Sequence, residues 1–398
     1  MTVLSTFSGT GGLDLGLEAA GFETLGCVEF DEVARLTLER NRPDWRLIEP
    51  TEIVAASQML RPRDLGIRKR DLGILAGGPP CQPFSKAAQY RATGRQGLED
   101  SRSKCLAGFF RILETFLPRV VLIENVAGFL NGRGSALPHL EHQLQLINRR
   151  CGTRYELQYE IVNAADYGVP QVRRRAIAVA RRDGRPFDFP DPTHVDRPVT
   201  AGDALRRPLG APRACSGYWA DLLPSIPEGE NYLWHTHRGG GEPIFGYRTR
   251  YWSFLLKLAK DLPSWTIAAS PGPSTGPFHW DNRPLTPEEM FRLQSFPQSW
   301  KVLGAERDRI RQAGNATPPL LAEIIGRAIS EQVFGGSLPH APKLRIPRRR
   351  IKSAKSRVRP VPQQYRQHIG EHPDHGGTGM GPCPGGIVPK AQLEGVSR

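Results

Sequence analysis

Apolar and polar positions along the chain alternate between two periods. Val3–Thr6 is a short β-prone run that leads into Phe7-Ser8-Gly9-Thr10-Gly11-Gly12. Leu13, Leu17 and Ala20 then fall at helical spacing until Gly21. Leu25–Phe30 predicts a second strand and Glu32–Arg40 a second helix. Gly73–Ala76 predicts a third strand, which runs into Gly77-Gly78-Pro79-Pro80-Cys81-Gln82-Pro83. Val120–Ile123 is a fourth, wholly apolar as a strand covered on both faces should be, and a helix over Leu106–Phe116 precedes it. Strands alternating with helices predict a parallel α/β sheet.

The texture changes after about residue 185. Residues 186–282 are rich in Pro, Gly, Trp and Arg, with a Gly239-Gly240-Gly241 turn and a Pro271-Gly272-Pro273 segment. They predict a smaller, more irregular second domain. Helical periodicity returns at Thr286–Ser295 and Pro318–Ile329, and there is no internal repeat. The expected division is a first domain over 1–185 with a further part over 283–335, an irregular domain over 186–282, and a tail over 339–398.

Charge changes this picture mainly at the C-terminus. The 398 residues carry a formal net charge of +14. Residues 341–398 hold 12 Lys/Arg against 3 Asp/Glu, so most of the excess lies there. With so few apolar side chains the tail is expected to be disordered, and a basic tail can meet phosphates without sequence preference. The six cysteines never fall as C-x-x-C, which removes the usual zinc and redox spacings; no metal is expected. No apolar run is long enough to span a membrane, and no basic segment precedes an apolar stretch near Met1. An intracellular, cytoplasmic protein without membrane partners is expected.

Four sequence features carry chemistry. The first glycine turn follows a strand and opens a helix, where backbone N–H groups and the helix dipole meet a ligand. Glu29 lies 20 residues after Gly9, the distance at which an acid accepts hydrogen bonds from ribose hydroxyls. The dinucleotide pattern G-x-G-x-x-G fails because its last position is Asp14, so the turn suits an adenosine ligand without a pyrophosphate. In Gly77–Ser85, two glycines end a strand and prolines on both sides of Cys81 fix a loop that carries one thiol. Glu124 follows the buried fourth strand, where desolvation raises a carboxylate's pKa and helps it keep a proton. Gln171, Arg173 and Arg175 are expected to share one face of a further strand, aimed at a phosphate or a base carbonyl.

This constellation resembles a DNA (cytosine-5)-methyltransferase of the bacterial type II restriction-modification kind, in order over about residues 3–333. Phe7–Gly12 resembles the family's cofactor loop and Gly77–Ser85 its Pro-Cys loop. Glu124-Asn125-Val126 and Gln171–Arg175 match two later catalytic motifs. Arg283-Pro284-Leu285-Thr286 through Leu293–Pro297 matches the segment after the specificity region, and Gly314-Asn315-Ala316 opens the last motif. The resemblance implies a Rossmann-like, mostly parallel sheet with helices on both faces and a target-recognition domain over 186–282. It implies S-adenosylmethionine as cofactor, with Phe7 on the adenine, Glu29 on the ribose, and Ser8, Gly9, Gly11, Gly12, Leu13, Pro79 and Asn315 completing the site. The family's Asp-Ile pair for the adenine has only Glu52-Ile53 as its nearest match.

By the same resemblance Cys81 adds to C6 of a cytosine flipped out of double-stranded DNA, Glu124 meets N3 and the 4-amino group, and Arg175 with Arg173 holds O2. The base that takes the C5 proton stays unnamed. A cognate restriction endonuclease acting on the same site is an implied partner, and a monomer is expected. In the second domain His235, His237, Arg238 and the run Tyr247–Trp252 offer cations and aromatics to DNA. The alternative for Tyr251, Trp252, Phe254 and Leu255 is that they form that domain's core. The rival readings are a tRNA cytosine-5 methyltransferase of the same family, a dinucleotide-dependent oxidoreductase and a catalytically silent DNA-binding regulator.

Overall fold

A computed structural model describes residues 1–80, 103–132, 135–248, 251–337, 341–348, 354–372 and 374. A six-stranded sheet forms its centre, built from β1 (Thr2–Thr6), β2 (Glu23–Val28), β3 (Ile74–Gly77), β4 (Val120–Val126), β5 (Leu157–Asn163) and β6 (Arg174–Arg181) in the order β2-β1-β3-β4-β6-β5. Pairs β1–β2, β1–β3 and β3–β4 are parallel, whereas β6 runs antiparallel to both β4 and β5. The mostly parallel expectation is met, with β6 as the reversed strand.

Helices α1 (Gly12–Ala19), α2 (Glu32–Asn41), α3 (Ile53–Met59), α4 (Ser103–Phe116) and α5 (Leu137–Cys151) accompany the strands. A short α6 (Ala201–Ala204) is followed by a two-stranded piece, β7 (Phe278–His279) with β8 (Arg283–Pro284). Then come α7 (Pro287–Leu293), α8 (Glu306–Asn315) and α9 (Pro319–Phe334). Thr286 caps α7 through a reciprocal bond pair with Glu289, the capping box that makes this helix legible in sequence.

Period-two alternation places each face of the sheet. Val121 and Ile123 of β4 join Leu75, Phe109 and Leu113 in one core, and Val120 and Leu122 join Ile74, Leu17 and Leu321 in the other. Each of the four β4 residues is essentially inaccessible, which stabilises by roughly 1.5–3 kcal/mol per side chain. Helix α9 returns from far along the chain to cover β1 through α1. A Cβ on Gly16 would lie 2.4 Å from that of Ala322, so only glycine permits this approach.

Two expectations differ from the structure. The strand predicted from Gln171 begins only at Arg174. Gln171 bridges Ser264 instead, and Val172 N–H donates to the Ser264 carbonyl at 2.7 Å. The backbone before Arg174 therefore serves another segment, and the shared face of Gln171, Arg173 and Arg175 does not form. The tail is the second difference. Val361 and Tyr365, on α10 (Gln363–Arg366) and its approach, are buried in a cluster with Leu222, Tyr232, Phe245 and Phe254. Their burial on a complementary surface, with backbone bonds such as Arg359 N–H to the Pro224 carbonyl, orders residues 354–372, so that stretch is folded rather than disordered. Residues 375–398 lie outside the described residues.

Candidate active site

The carboxyl ends of β1, β2, β3 and β4 meet at one edge, with Thr6 opposite both Val28 and Gly77, and Gly77 opposite Ile123. At this edge the chain leaves β1 through Phe7, Gly9 and Gly11, all at positive φ, and Gly11 becomes the left-handed N-cap of α1. Glu29 follows β2 and is nine-tenths buried. Its carboxylate accepts from Gly9 N–H at 2.6 Å and from Asp31 N–H at 2.7 Å. Burial raises its pKa, while those two N–H groups oppose the shift. A Cβ on Gly9 would meet nothing within 4 Å, so open space lies over the loop. On Gly12 it would strike the Thr317 carbonyl at 2.1 Å. That contact joins the loop to the turn after Asn315.

Arg173 organises the same turn. Its buried guanidinium donates to the carbonyls of Gly314 at 2.9 Å and Ala316 at 2.8 Å, bracketing exposed Asn315. This corrects the expectation that Arg173 faces the substrate beside Arg175: it is a brace for the Asn315 turn. Ser8 and Leu13 are buried in the loop and α1, and the Ser8 hydroxyl lies 2.8 Å from that of Ser5. Glu52 caps α3, accepting from Ala55 N–H at 3.3 Å, while Ile53 is buried in the core against which Phe7 packs.

Glu124 stands one residue beyond the pairing of Gly77 with Ile123. Its Oε1 is 2.9 Å from Arg175 Nε, and both side chains are only about one-tenth exposed. The desolvated carboxylate expected here is thus met by a guanidinium. A Cβ on Gly78 would come within 3.4 Å of Glu124 Oε2, and Asn125 Nδ2 donates to the Pro79 carbonyl at 2.8 Å. The loop toward Cys81 is therefore tied to the Glu124 strand up to Pro79. Cys81 itself lies outside the described residues.

A family model for C-5 cytosine-specific DNA methylases matches residues 1–331. The chain belongs to that family. It is 33% identical over 375 residues to the type II methyltransferase M.SacI of Streptomyces achromogenes, covering 84% of this chain and 93% of the relative. To the type II methyltransferase M1.HphI of Haemophilus parahaemolyticus it is 31% identical, covering 83% and 86%. DNMT2 of Spodoptera frugiperda shares the fold, with a TM-score of 0.55 at 16% identity over 82% of this chain and 99% of that one. The protein is a DNA (cytosine-5)-methyltransferase, with S-adenosylmethionine as methyl donor and DNA as substrate.

The loop of this methylase fits its cofactor. An acid held at the ribose distance, an open cradle over Gly9 and a helix N-terminus together suit an adenosyl group. Three residues were given no role of their own by the motifs. Phe30, directly after Glu29, is 73% exposed and offers a bare ring at the same edge. Asn125 ties down Pro79, a contact between segments that no local spacing announces. Asp14 is fully buried in the first turn of α1, and burial pushes its pKa up to about 6 against the pull of the Ser5 hydroxyl.

The Asp14 shift has a measurable consequence. An acid whose pKa is higher in the folded than in the unfolded state contributes stability below the unfolded value, lost as pH rises through the folded one. The loss from about pH 4 to above pH 6 is about 3 kcal/mol. Asp14→Asn should equal the wild type near pH 4 and exceed it by about 2–3 kcal/mol at pH 8 in urea unfolding of the cofactor-free protein. A difference that stays constant with pH would contradict this.

Among the described residues, no helix is long and apolar enough to cross a membrane and no cluster of His, Cys, Asp or Glu has a metal-binding arrangement. Within residues 186–282, Phe254 and Leu255 are core and Tyr251 packs against it. Trp252 departs from the core reading: it is 65% exposed and stacks on Trp265. His235 is buried between the Ser225 hydroxyl and the Glu242 carbonyl, so it supports the fold rather than offering itself to DNA.

Proposed function

We propose that this methylase modifies C5 of a flipped-out cytosine within one short duplex sequence, through a covalent bond from Cys81 Sγ to C6, as the modification partner of a restriction endonuclease. The observation that carries this reading is the buried Glu124–Arg175 pair, set beside Gly78 at the mouth of the loop that leads to Cys81. Residues 186–282 read the target sequence, and the enzyme acts as a monomer in the cytoplasm.

The substrate's electronics assign the roles. Cytosine C5 is a weak carbon nucleophile until a thiolate adds to C6, which turns C4–C5 into an enamine. Cys81 supplies that thiolate. Glu124 donates a proton to N3 as negative charge builds there and accepts from the 4-amino group. Arg175 holds the Glu124 carboxylate in place and turns its remaining N–H donors to the cytosine O2. When bound, S-adenosylmethionine would supply an electrophilic sulfonium methyl for the activated C5, its S–CH3 bond breaking to leave a neutral thioether. Glu29 and the Gly9–Leu13 backbone hold the adenosyl group, the Phe30 ring offers its flat face to the adenine beside Phe7, and Arg173 fixes the turn that presents Asn315. A base then removes the C5 proton, the Sγ–C6 bond breaks and N3 returns its proton.

Tritiated S-adenosylmethionine with unmethylated bacterial genomic DNA, followed by bisulfite sequencing, tests the whole reading. Label should appear in DNA as 5-methylcytosine at one short recurring motif. Label in tRNA and none in DNA would favour the RNA reading, and no label in either would favour a silent regulator.

A further inference from the structure

The family match ends at residue 331, yet the described stretches beyond it, 341–348 and 354–372, are built into the molecule. Residues 341–348 lie along α9, where Lys343 and Leu344 N–H groups donate to the buried Glu323 carboxylate. After residue 353 the chain crosses the second domain as a strap. Ser356 N–H donates to Glu228 at 2.7 Å, an acid also paired with Lys260 at 2.9 Å. Arg359 N–H donates to the Pro224 carbonyl at 2.9 Å. Tyr365 is fully buried, stacks on Trp219 at 5.4 Å and donates its hydroxyl to the Tyr218 carbonyl at 2.7 Å. Gly370 N–H donates to the Pro243 carbonyl at 3.0 Å.

The described end of the strap reaches the cationic turn. Asp374 Oδ2 lies 2.6 Å from Arg238 Nη2, and Oδ1 accepts from Tyr247 N–H at 3.1 Å. The Arg238 guanidinium sits 3.7 Å from the centroid of the Tyr247 ring. About half of the Arg238 side chain remains exposed. One carboxylate thus fixes both the arginine and the backbone of the ring beneath it. An arginine seeking phosphates gains little from an acid beside it, because the acid cancels the charge attraction. An arginine that reads a base edge gains orientation, since bidentate contact to guanine requires its planar fork to be held in one plane.

We propose that the C-terminal strap is a specificity-determining part of the DNA-reading module, with Asp374 positioning Arg238 on Tyr247 for a base-edge contact in the duplex. The inference rests on residues 186–282 being the target-recognition domain. Asp374 acts through Arg238 and is a positioning residue. The pair is exposed, so its loss should change stability little. Its effect is to be read in discrimination between sequences.

The test uses the full chain on duplexes carrying the mapped motif and on single-base variants of it. Asp374→Asn should lower kcat/KM on the cognate duplex about tenfold, with near-cognate duplexes unchanged; kcat at saturating DNA and cofactor affinity should stay within about twofold. Arg238→Ala should lose at least as much discrimination, and the double variant should match Arg238→Ala alone. If Arg238→Ala loses discrimination and Asp374→Asn does not, the strap proposal is overturned while the DNA-reading module stands. If Arg238→Ala leaves discrimination intact, this part of the domain does not read DNA and the proposal falls with it. Parallel losses in kcat and cofactor binding for Asp374→Asn would mark a general structural effect and overturn the proposal too.

Discussion

Cys81→Ser should lower kcat for methyl transfer by a factor on the order of 10³ or more while leaving DNA and cofactor binding within a fewfold of wild type. A serine hydroxyl has almost no anionic fraction near neutral pH, whereas a cysteine thiol has an appreciable one, so the step that activates C5 disappears. The fold around the substitution should persist, because Gly77 remains paired with Ile123 and Pro79 remains held by Asn125. Single-turnover transfer of tritium to duplex DNA, with filter binding in parallel, measures both halves. Turnover near wild type would remove Cys81 as the nucleophile. Loss of binding along with activity would instead make it a structural residue.

Glu124→Gln is expected to have the next largest effect, a fall in kcat of about 10²–10⁴. The amide keeps the shape and one acceptor but has no acidic proton for N3. It also leaves the Arg175 guanidinium facing a neutral group at a site where both side chains are about nine-tenths buried. A loss of about 1–3 kcal/mol in stability should accompany the loss in rate. Cofactor affinity should be unchanged, because Glu29 and the Gly9 loop follow β2 and β1, which β3 separates from β4. Calorimetric titration with S-adenosylmethionine, thermal melts and single-turnover rates separate these effects. A variant that loses stability but retains the wild-type rate would show that Glu124 only anchors Arg175.

The first four strands were legible because their cause is local. Val120–Ile123 is apolar throughout and β4 is buried on both faces, and glycines stand where Phe7–Gly12 and Gly77–Gly78 must turn sharply or admit a close neighbour. Strand β5 was not legible. Leu157–Asn163 forms the sheet edge with most of its side chains only partly buried, so its alternation is weak. Helix α8 was missed for a similar reason: Glu306–Asn315 is mostly charged or polar, with Ile310 and Ala313 among its few buried apolar positions.

Local spacing was enough to specify the class of chemistry. Residue types at fixed local spacing specify a thiol between prolines, an acid after a buried strand and a glycine turn with its ribose acid, because such motifs act through the backbone next to them. Which partner each side chain meets depends on long-range packing. Arg173 and Arg175 are two residues apart, yet one braces the Asn315 turn and the other pairs with Glu124, because the strand begins only between them. The basic C-terminal stretch looked unable to bury a core, and alone it cannot. A few apolar side chains become enough once Trp219 and Phe245 of a distant segment provide the surface they cover. Burial depends on what lies opposite in space, and that is a property of the folded chain rather than of any stretch of it.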